Sequence, residues 1–217
     1  HIRNGVLTSI IGPNGAGKTT LINLLTGYLT PDSGKTFFKE EDITMLPIDN
    51  RVKKGICRSF QIINIFRRLT TYENVLLSVL SRLNKSMKLF SKLSDHRDAM
   101  EEVERILDEV GLLDKKDIKA GELSHGDQRF LEMGITIAMN PELCFLDEPT
   151  AGTNPIERAR ILELIKRLHE ERKTTFIVVE HDMDVVFSLS EQILVMHRGK
   201  IIAQGKPEEI KKLSLIH

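Results

Sequence analysis

The stretch that decides the fold is VLTSIIGPNGAGKTTLINLL, which spans residues 6–25. It begins with an apolar, strand-like run, continues through a glycine-rich turn, and then reads as a helix that ends near Gly27. The turn matches the phosphate-loop pattern G-x-x-x-x-G-K-[ST], and it stands between a strand and a helix, as that pattern requires. The stretch therefore predicts a phosphate-binding loop in an α/β protein.

The residue types of this loop suit a nucleoside triphosphate bound with Mg²⁺. Glycines let backbone N–H groups converge on phosphate oxygens, and the following helix directs its positive end at the same anion. We expect Lys18 to neutralise the β- and γ-phosphates and Thr19 to offer its hydroxyl to Mg²⁺. The expected nucleotide-binding residues of the loop are Gly12, Pro13, Asn14, Gly15, Ala16, Gly17, Lys18, Thr19 and Thr20.

A second motif, LCFLDE at residues 143–148, pairs with the loop. Its apolar part predicts a buried strand that delivers Asp147 to the edge of the sheet, where the carboxylate can hold the Mg²⁺ shell. Glu148, one residue further, can polarise an attacking water as a general base. Alone, the motif could be a strand that ends in two solvated acids; after a phosphate loop it indicates phosphoryl transfer.

Length and charge limit the classes of function. The chain has 217 residues, enough for one large domain or a core with a smaller insert. Lys plus Arg is 31 and Asp plus Glu is 31, so the basic excess typical of nucleic-acid binders is missing, and we expect no nucleic-acid partner. No run approaches the ~18–20 apolar residues of a membrane-spanning helix, so another chain would have to cross any membrane at which this one works.

The middle of the chain differs in character from both ends. From about Thr70 the sequence reads as helical, and apolar residues at spacings of three and four predict an amphipathic helix over 99–110. The polar stretch from Asn84 to Asp98 is expected to be a mobile connection. Towards both ends, short apolar strands alternate with helices, which predicts an α/β core interrupted by a helical insert.

The segment Leu123-Ser-His-Gly-Asp-Gln-Arg129 resembles the LSGGQ signature of the ABC ATPases. Gln61 resembles the glutamine of that family's Q-loop, residues 151–154 its D-loop, and His181, directly after a predicted strand, its switch histidine. The order of these motifs fits the family over nearly the whole chain. The resemblance implies that Gln61 contacts the metal and the reaction centre, and that His181 stabilises the transferring phosphoryl group or holds the water.

The same resemblance implies the fold and the domain organisation. It indicates a P-loop NTPase core of the RecA-like, ABC ATPase type with a helical subdomain that carries the signature. The expected boundaries are 1–65 for the first part of the core, 66–137 for the helical subdomain and 138–217 for the second part. Residues 2–11 contain no aromatic side chain to stack on adenine. The family's first strands and this aromatic residue are therefore expected to precede His1.

The signature departs from the family pattern at two positions. His125 replaces the first glycine of the pair, and Asp127 replaces the usual glutamine. In the family, the serine and the second glycine reach the γ-phosphate held by the opposite subunit, so the resemblance assigns that contact to Ser124 and Gly126. A carboxylate near a triphosphate would oppose closure unless it points away or caps the helix. We expect Asp127 to be an N-terminal helix acid that faces solvent.

Three short segments indicate which subfamily of the ABC ATPases the chain resembles. The segments RSFQ at 58–61, LTTYENV at 69–75 and EHDM at 180–183 resemble the cassettes of branched-chain amino acid importers, and also those of urea and short-amide importers. The resemblance implies MgATP-driven dimerisation with a second cassette, identical or paralogous, coupled to solute import. It further implies transmembrane permease subunits as partners, a solute-binding protein as an indirect one, and a location at the cytoplasmic face of the membrane.

Three other classes of protein remain open at this point. One is a soluble ABC ATPase without a transport role, although its usual long coiled coils or paired cassettes are missing from this sequence. A second is a cassette that binds ATP without hydrolysing it, which Glu148 argues against. A third is a small-molecule kinase, in which the signature and switch elements would be coincidences.

Overall fold

The computed structural model describes residues 1–59, 65–83 and 97–213. These residues form two compact units. The first unit combines residues 1–58 with 142–217, and the second consists of residues 59–141. Each unit is described by itself below.

The first unit contains eight strands and five helices among its described residues. Its strands are β1 (Thr8–Ile11), β2 (Phe37–Phe38), β3 (Glu41–Asp42), β4 (Ile56–Arg58), β5 (Leu143–Asp147), β6 (Thr175–Val179), β7 (Gln192–His197) and β8 (Lys200–Gly205). Its helices are α1 (Lys18–Thr26), α2 (Ile48–Lys53), α6 (Pro155–Arg172), α7 (Met183–Leu189) and α8 (Pro207–Lys212). The second unit contains α3 (Thr71–Arg82), α4 (Arg97–Glu109) and α5 (His125–Ala138).

The main sheet places the predicted motifs at one edge. Within the described residues its strand order is β4-β5-β6-β1-β7-β8, and all neighbours are parallel except the hairpin β7–β8. Asp147 at the end of β5 is in register with Val179 at the end of β6. The carboxyl ends of β1, β5 and β6 therefore lie side by side, which is where an open α/β sheet presents its ligand site.

Apolar side chains cover both faces of this sheet. One cluster joins Ile10 of β1 and Phe145 of β5 to Ile22 of α1, and these side chains are fully buried. The other joins Ile193 of β7 to Val186 of α7 and Ile210 of α8. Burial of such side chains stabilises a fold by about 1.5–3 kcal/mol each. The first cluster therefore fixes α1 against β1, and the second fixes α7 and α8 against the opposite face of the sheet.

A buried arginine holds the carboxyl end of α1. Arg51 of α2 is 1% exposed, and its guanidinium donates to the carbonyl oxygens of Leu24 and Leu25 at 2.8 Å. It also donates to the carbonyl oxygens of Leu46 and Thr44 at 2.9 Å. Burial lowers the pKa of Arg51 from its ordinary value. The bonds to Leu24 and Leu25 satisfy carbonyl groups that the end of a helix leaves unpaired. Together with the bonds to Leu46 and Thr44, they anchor α1, the helix that follows the phosphate loop.

The second unit is built from amphipathic helices. The α3 helix begins at a capping box in which Thr70 Oγ1 accepts from Glu73 N and Glu73 Oε2 accepts from Thr70 N. Val75 and Val79 of α3 and Ile106 of α4 are fully buried. The predicted helix over 99–110 is thus confirmed, with Ala99, Val103, Ile106 and Leu107 on its buried face.

Several predicted boundaries need correction. The sequence from Ile56 to Gln61 predicts a short strand, but β4 ends at Arg58. Gln61 lies outside the described residues, as does the rest of 60–64. The connection expected over 84–98 falls on residues that are not described up to 96, but Arg97 and Asp98 already belong to α4. The helix that ends near Gly27 is confirmed. Two short apolar runs around Arg198-Gly199 predict a hairpin, and the antiparallel pair β7–β8 confirms it.

Candidate active site

The phosphate loop has a backbone that side chains would obstruct. At Gly12 a Cβ atom would lie 2.2 Å from the carbonyl oxygen of Met196 in β7, so only glycine fits between the two strands. Gly17, the residue before α1, has φ 97 in the left-handed region, where glycine is strongly favoured. The first turn of α1 contains no acidic residue and no side-chain cap, which leaves its N–H groups directed at an incoming anion.

Lys18 lies folded into this loop. It is 7% exposed, and its Nζ donates to the carbonyl oxygens of Gly12 at 2.7 Å and Pro13 at 3.2 Å. Burial lowers the pKa of Lys18, and attraction by Glu148 and Asp147 acts in the opposite direction. The structure therefore places the predicted phosphate-binding lysine close enough to both predicted carboxylates for their charges to interact.

Asp147 has a partner that the sequence did not suggest. Its Oδ2 accepts from Arg58 Nη2 at 2.8 Å, and the side chains of Arg58 and Asp147 are 11% and 4% exposed. Arg58 Nη1 donates to Asn23 Oδ1 of α1, and its guanidinium lies 5.8 Å from the ring centroid of Tyr28. Because β4 and β5 are parallel neighbours, Arg58 reaches the predicted metal-binding carboxylate from the same sheet edge.

We expect Arg58→Lys to lower the free energy of unfolding by about 1–2 kcal/mol, because a lysine cannot bridge Asn23 and Asp147 as the guanidinium fork does. Urea unfolding in EDTA without nucleotide measures the change. Arg105→Lys is the matched control, since Arg105 is 69% exposed on α4. Equal stabilities for the Arg58→Lys variant and the unmodified protein would show that the bridge contributes nothing in solution.

Glu148 and His181 are in direct contact. Glu148 Oε1 lies 2.9 Å from His181 Nε2, and the two side chains are 25% and 44% exposed, so both are accessible to water. Glu148 has φ 49, a left-handed conformation that is uncommon for a residue other than glycine. Its N–H donates to the carbonyl oxygen of Val179 at 2.9 Å, which fixes it beside the end of β6. Strained backbone held by such contacts is frequent at catalytic sites.

The donors available to Mg²⁺ are oxygen atoms, which is the ligand type that this ion prefers. They are the hydroxyl of Thr19, exposed at the start of α1, and the carboxylate of Asp147. No cluster of three or more His, Cys, Asp or Glu suited to a metal ion occurs within residues 1–59, 65–83 and 97–213. This donor set fits Mg²⁺, which is commonly held by one or two protein oxygens together with substrate phosphates and water.

The signature segment belongs to the second unit and begins α5. Ser124 is the residue before the helix, and its Oγ accepts from Asp127 N at 3.1 Å. Ser124 is exposed and Gly126 is buried. The expectation that Asp127 faces solvent is wrong: its side chain is 16% exposed, and its Oδ2 accepts from Lys115 Nζ at 2.8 Å and from Ser124 Oγ at 2.7 Å. Lys115 precedes the helix and supplies the charge that draws the carboxylate inwards.

The structure thus gathers Lys18, Asp147, Glu148 and His181 at one edge of the first unit. Thr19 and Thr20 are exposed at the start of α1. Ser124 and Gly126 lie in the other unit, and Gln61 lies outside the described residues. Sequence reasoning missed Arg58 and also Glu180, a buried carboxylate next to His181. A signal for both exists, since each is a charged residue at the carboxyl end of an apolar strand.

No helix among the described residues is both long enough and apolar enough to cross a membrane.

Comparison with known proteins identifies the family of this chain. The family model described as ABC transporter matches residues 1–151. The LivG protein of Salmonella typhimurium, described as a high-affinity branched-chain amino acid transport ATP-binding protein, is 37% identical over 218 residues. That alignment covers 97% of this chain and 85% of LivG.

Solved structures resemble the fold as well, among them two ATP-binding cassettes. An ATP-binding cassette of an ABC transporter in its ADP conformation has a TM-score of 0.85 at 35% identity, with 98% of this chain and 85% of that chain covered. A dimeric cassette in a post-hydrolysis state, bound to ADP and Pi, has a TM-score of 0.79 at 27% identity, with 95% and 88% covered. The predicted α/β fold class and the family resemblance are thereby confirmed. The chain belongs to the ABC transporter family, as one of its ATP-hydrolysing cassettes.

Proposed function

We propose that this chain binds and hydrolyses MgATP on behalf of an importer of branched-chain amino acids. The contact between Glu148 and His181, beside the loop of Lys18, carries the proposal for hydrolysis. The similarity to LivG over nearly the whole chain supports the amino-acid substrate class. The two compact units correspond in this proposal to a nucleotide-binding core and a helical subdomain, with expected boundaries near 65 and 137.

Each residue of the first unit has a distinct part in the proposed reaction. Lys18 exchanges its carbonyl partners for the β- and γ-phosphate oxygens of ATP. The backbone N–H groups of residues 12–20, except Pro13, which has none, surround the phosphates. Thr19, Asp147 and Gln61 would hold Mg²⁺, which supplies charge neutralisation of the phosphates. Glu148 accepts a proton from the attacking water, and His181 orients that water or the transferring phosphoryl group.

The nucleotide site is completed by a second cassette in this proposal. Ser124 and Gly126 of that cassette would contact the γ-phosphate held by Lys18, so ATP draws the two cassettes together and hydrolysis releases them. Gating of this kind converts chemistry into domain motion. Permease subunits would receive the motion, with a solute-binding protein acting through them, and they would hold the chain at the cytoplasmic face of the membrane.

The other classes make different predictions. A soluble ABC ATPase would work without a permease, and a urea or short-amide importer would respond to a different solute. The similarity to a branched-chain amino acid transport protein favours the amino-acid importer over both. No nucleic-acid partner is proposed, because the chain has 31 basic and 31 acidic residues.

The test is to isolate the protein from native membranes in mild detergent and to reconstitute the assembly in lipid vesicles. We expect membrane-spanning subunits to co-purify and ATPase activity to require Mg²⁺. Leucine, isoleucine or valine, presented with the solute-binding protein, should stimulate this activity, whereas urea and acetamide serve as control solutes. Stimulation by urea or acetamide alone would reassign the substrate class. Recovery with ribosomes or DNA instead of membrane subunits would refute the transport role.

A further inference from the structure

The feature that the mechanism leaves unused is Glu180, the residue between β6 and His181. Its side chain is buried at 4% exposure. Oε1 accepts from Thr150 Oγ1 at 2.7 Å and from Thr150 N at 3.1 Å, and Oε2 accepts from His181 N at 3.3 Å. All three partners donate hydrogen bonds, as the acceptor-only chemistry of a carboxylate requires. Because both of its oxygens accept hydrogen bonds, the buried carboxylate of Glu180 holds Thr150 and the backbone of His181 at a fixed separation.

Glu180 joins the two loops that carry the reacting side chains. Thr150 lies two residues after Glu148, and His181 lies directly after Glu180. Since Glu148 Oε1 and His181 Nε2 are themselves 2.9 Å apart, the contacts form a closed ring that runs through both loops. Thr153 Oγ1 donates to the carbonyl oxygen of Thr150 at 2.6 Å, which holds the Thr150 turn in place.

A second carboxylate ties the other side of the histidine. Asp182 caps α7 by accepting from Asp184 N at 3.0 Å with Oδ1. Its Oδ2 accepts from Arg158 Nη1 of α6 at 2.5 Å. The histidine loop is therefore attached to the segment after Glu148 both before and after His181. The Arg158–Asp182 pair is more exposed than Glu180, at 40% and 32%, so it contributes less to fixing the separation of the loops.

We propose that Glu180 is a positioning residue for ATP hydrolysis, which sets the separation of Glu148 and His181 by clamping Thr150 and the histidine loop together. This inference rests on the proposed roles of Glu148 and His181. Displacing a reacting group by about 1 Å can lower a rate about 100-fold, so a rigid clamp at this point has a large influence on kcat. The phosphate loop is not part of the ring, and ATP binding should be left intact.

The first arm of the test is steady-state ATPase activity of the assembled transporter. Glu180→Gln keeps the shape but directs an amide N–H₂ at one of the donors. We expect kcat to fall about 10- to 100-fold, by displacement of the reacting groups, while KM for ATP changes less than about twofold. Thr150→Val should give a smaller fall, because the Thr150 N–H still donates. Thr150→Ser should keep the activity of the unmodified protein, because serine retains the hydroxyl that donates to Glu180. Glu163→Gln is the matched control, since Glu163 is exposed on α6.

The second arm needs no ATPase activity and therefore separates failure of the clamp from failure of the proposed function. NMR of the full chain without nucleotide follows the imidazole signals of His181. We expect Glu148→Gln to shift these signals in the unmodified chain and to shift them much less in the presence of Glu180→Gln or Thr150→Val. An unchanged kcat in Glu180→Gln would overturn the inference. So would an equal shift of the His181 signals on Glu148→Gln in the unmodified chain and in the Glu180→Gln or Thr150→Val variants. An inactive unmodified assembly would instead overturn the proposed function.

Discussion

Replacing Glu148 by glutamine is expected to lower the turnover of ATP by about 10²- to 10⁴-fold, which is the usual contribution of a general base. Glutamine has nearly the same shape, and its amide oxygen can still accept from the Nε2–H group of His181, which lies 2.9 Å from Glu148 Oε1. It cannot accept a proton from the attacking water. The loss should therefore appear in kcat, while the affinity for ATP remains close to that of the unmodified protein.

Three measurements examine this prediction together. Steady-state ATPase assays of the assembled transporter give kcat, and calorimetric titration gives the affinity for ATP. Size-exclusion chromatography with MgATP should show a nucleotide-bound pair of cassettes accumulating, because the pair closes but cannot complete hydrolysis. Glu163→Gln again serves as control, since this carboxylate is exposed on α6. A variant that turned over ATP at the ordinary rate would show that another group is the base.

Replacing Lys18 by alanine is expected to weaken both binding and turnover. A hydrogen bond to a charged group contributes about 1.5–3 kcal/mol, so the loss of the ammonium should reduce the affinity for ATP about 10- to 100-fold. A positioned donor to charge that develops in the transition state contributes a further factor of about 10²–10³ in kcat. Lys18 is buried, and its Nζ already lies within 2.7 Å of the Gly12 carbonyl oxygen, so it needs little rearrangement to reach a phosphate.

Calorimetric titration of ATP into the purified chain measures the first effect, and ATPase assays at saturating ATP measure the second. Lys53→Ala is the matched control, because Lys53 is 65% exposed and its ion pair with the exposed Asp49 is long, at 4.0 Å. Thermal unfolding of both variants shows whether the loop remains folded. Retention of ordinary ATP affinity in a folded Lys18→Ala protein would contradict the assignment of the phosphate loop.

Local sequence patterns were sufficient for the elements that carry the nucleotide site. The glycine loop, the helix that stops at Gly27 and the hairpin β7–β8 are each specified by a few consecutive residues. Glycine tolerates the left-handed conformations that such turns need, so these elements can be identified without knowledge of their neighbours. The short pair β2–β3 and the helices α2, α7 and α8 were missed, because segments of two to seven residues show too little periodicity.

Contacts between distant parts of the chain could not be predicted in the same way. Arg58 and Asp147 meet because β4 is placed beside β5, and nothing near either residue encodes that neighbour. The position of Asp127 at the start of a helix was inferred correctly, but its exposure was not. Its partner Lys115 lies 12 residues earlier, in a short 3₁₀ helix that follows α4. The pairing of side chains depends on strand order and on how loops return, which a local pattern does not contain.

The hydroxyl of Ser124 has a single hydrogen, and in this structure it is given to Asp127 Oδ2 at 2.7 Å. While that bond lasts, the hydroxyl of Ser124 has no hydrogen to offer to a negatively charged oxygen that approaches. To donate to such an oxygen, the hydroxyl must first rotate away from a carboxylate, at an expense of about 1.5–3 kcal/mol. Lys115, whose Nζ stays bound to the same carboxylate oxygen, would keep Asp127 charge-compensated afterwards. Asp127, which stands where the family signature has glutamine, therefore holds the Ser124 hydroxyl in a conformation from which it cannot donate a hydrogen bond to an incoming anion.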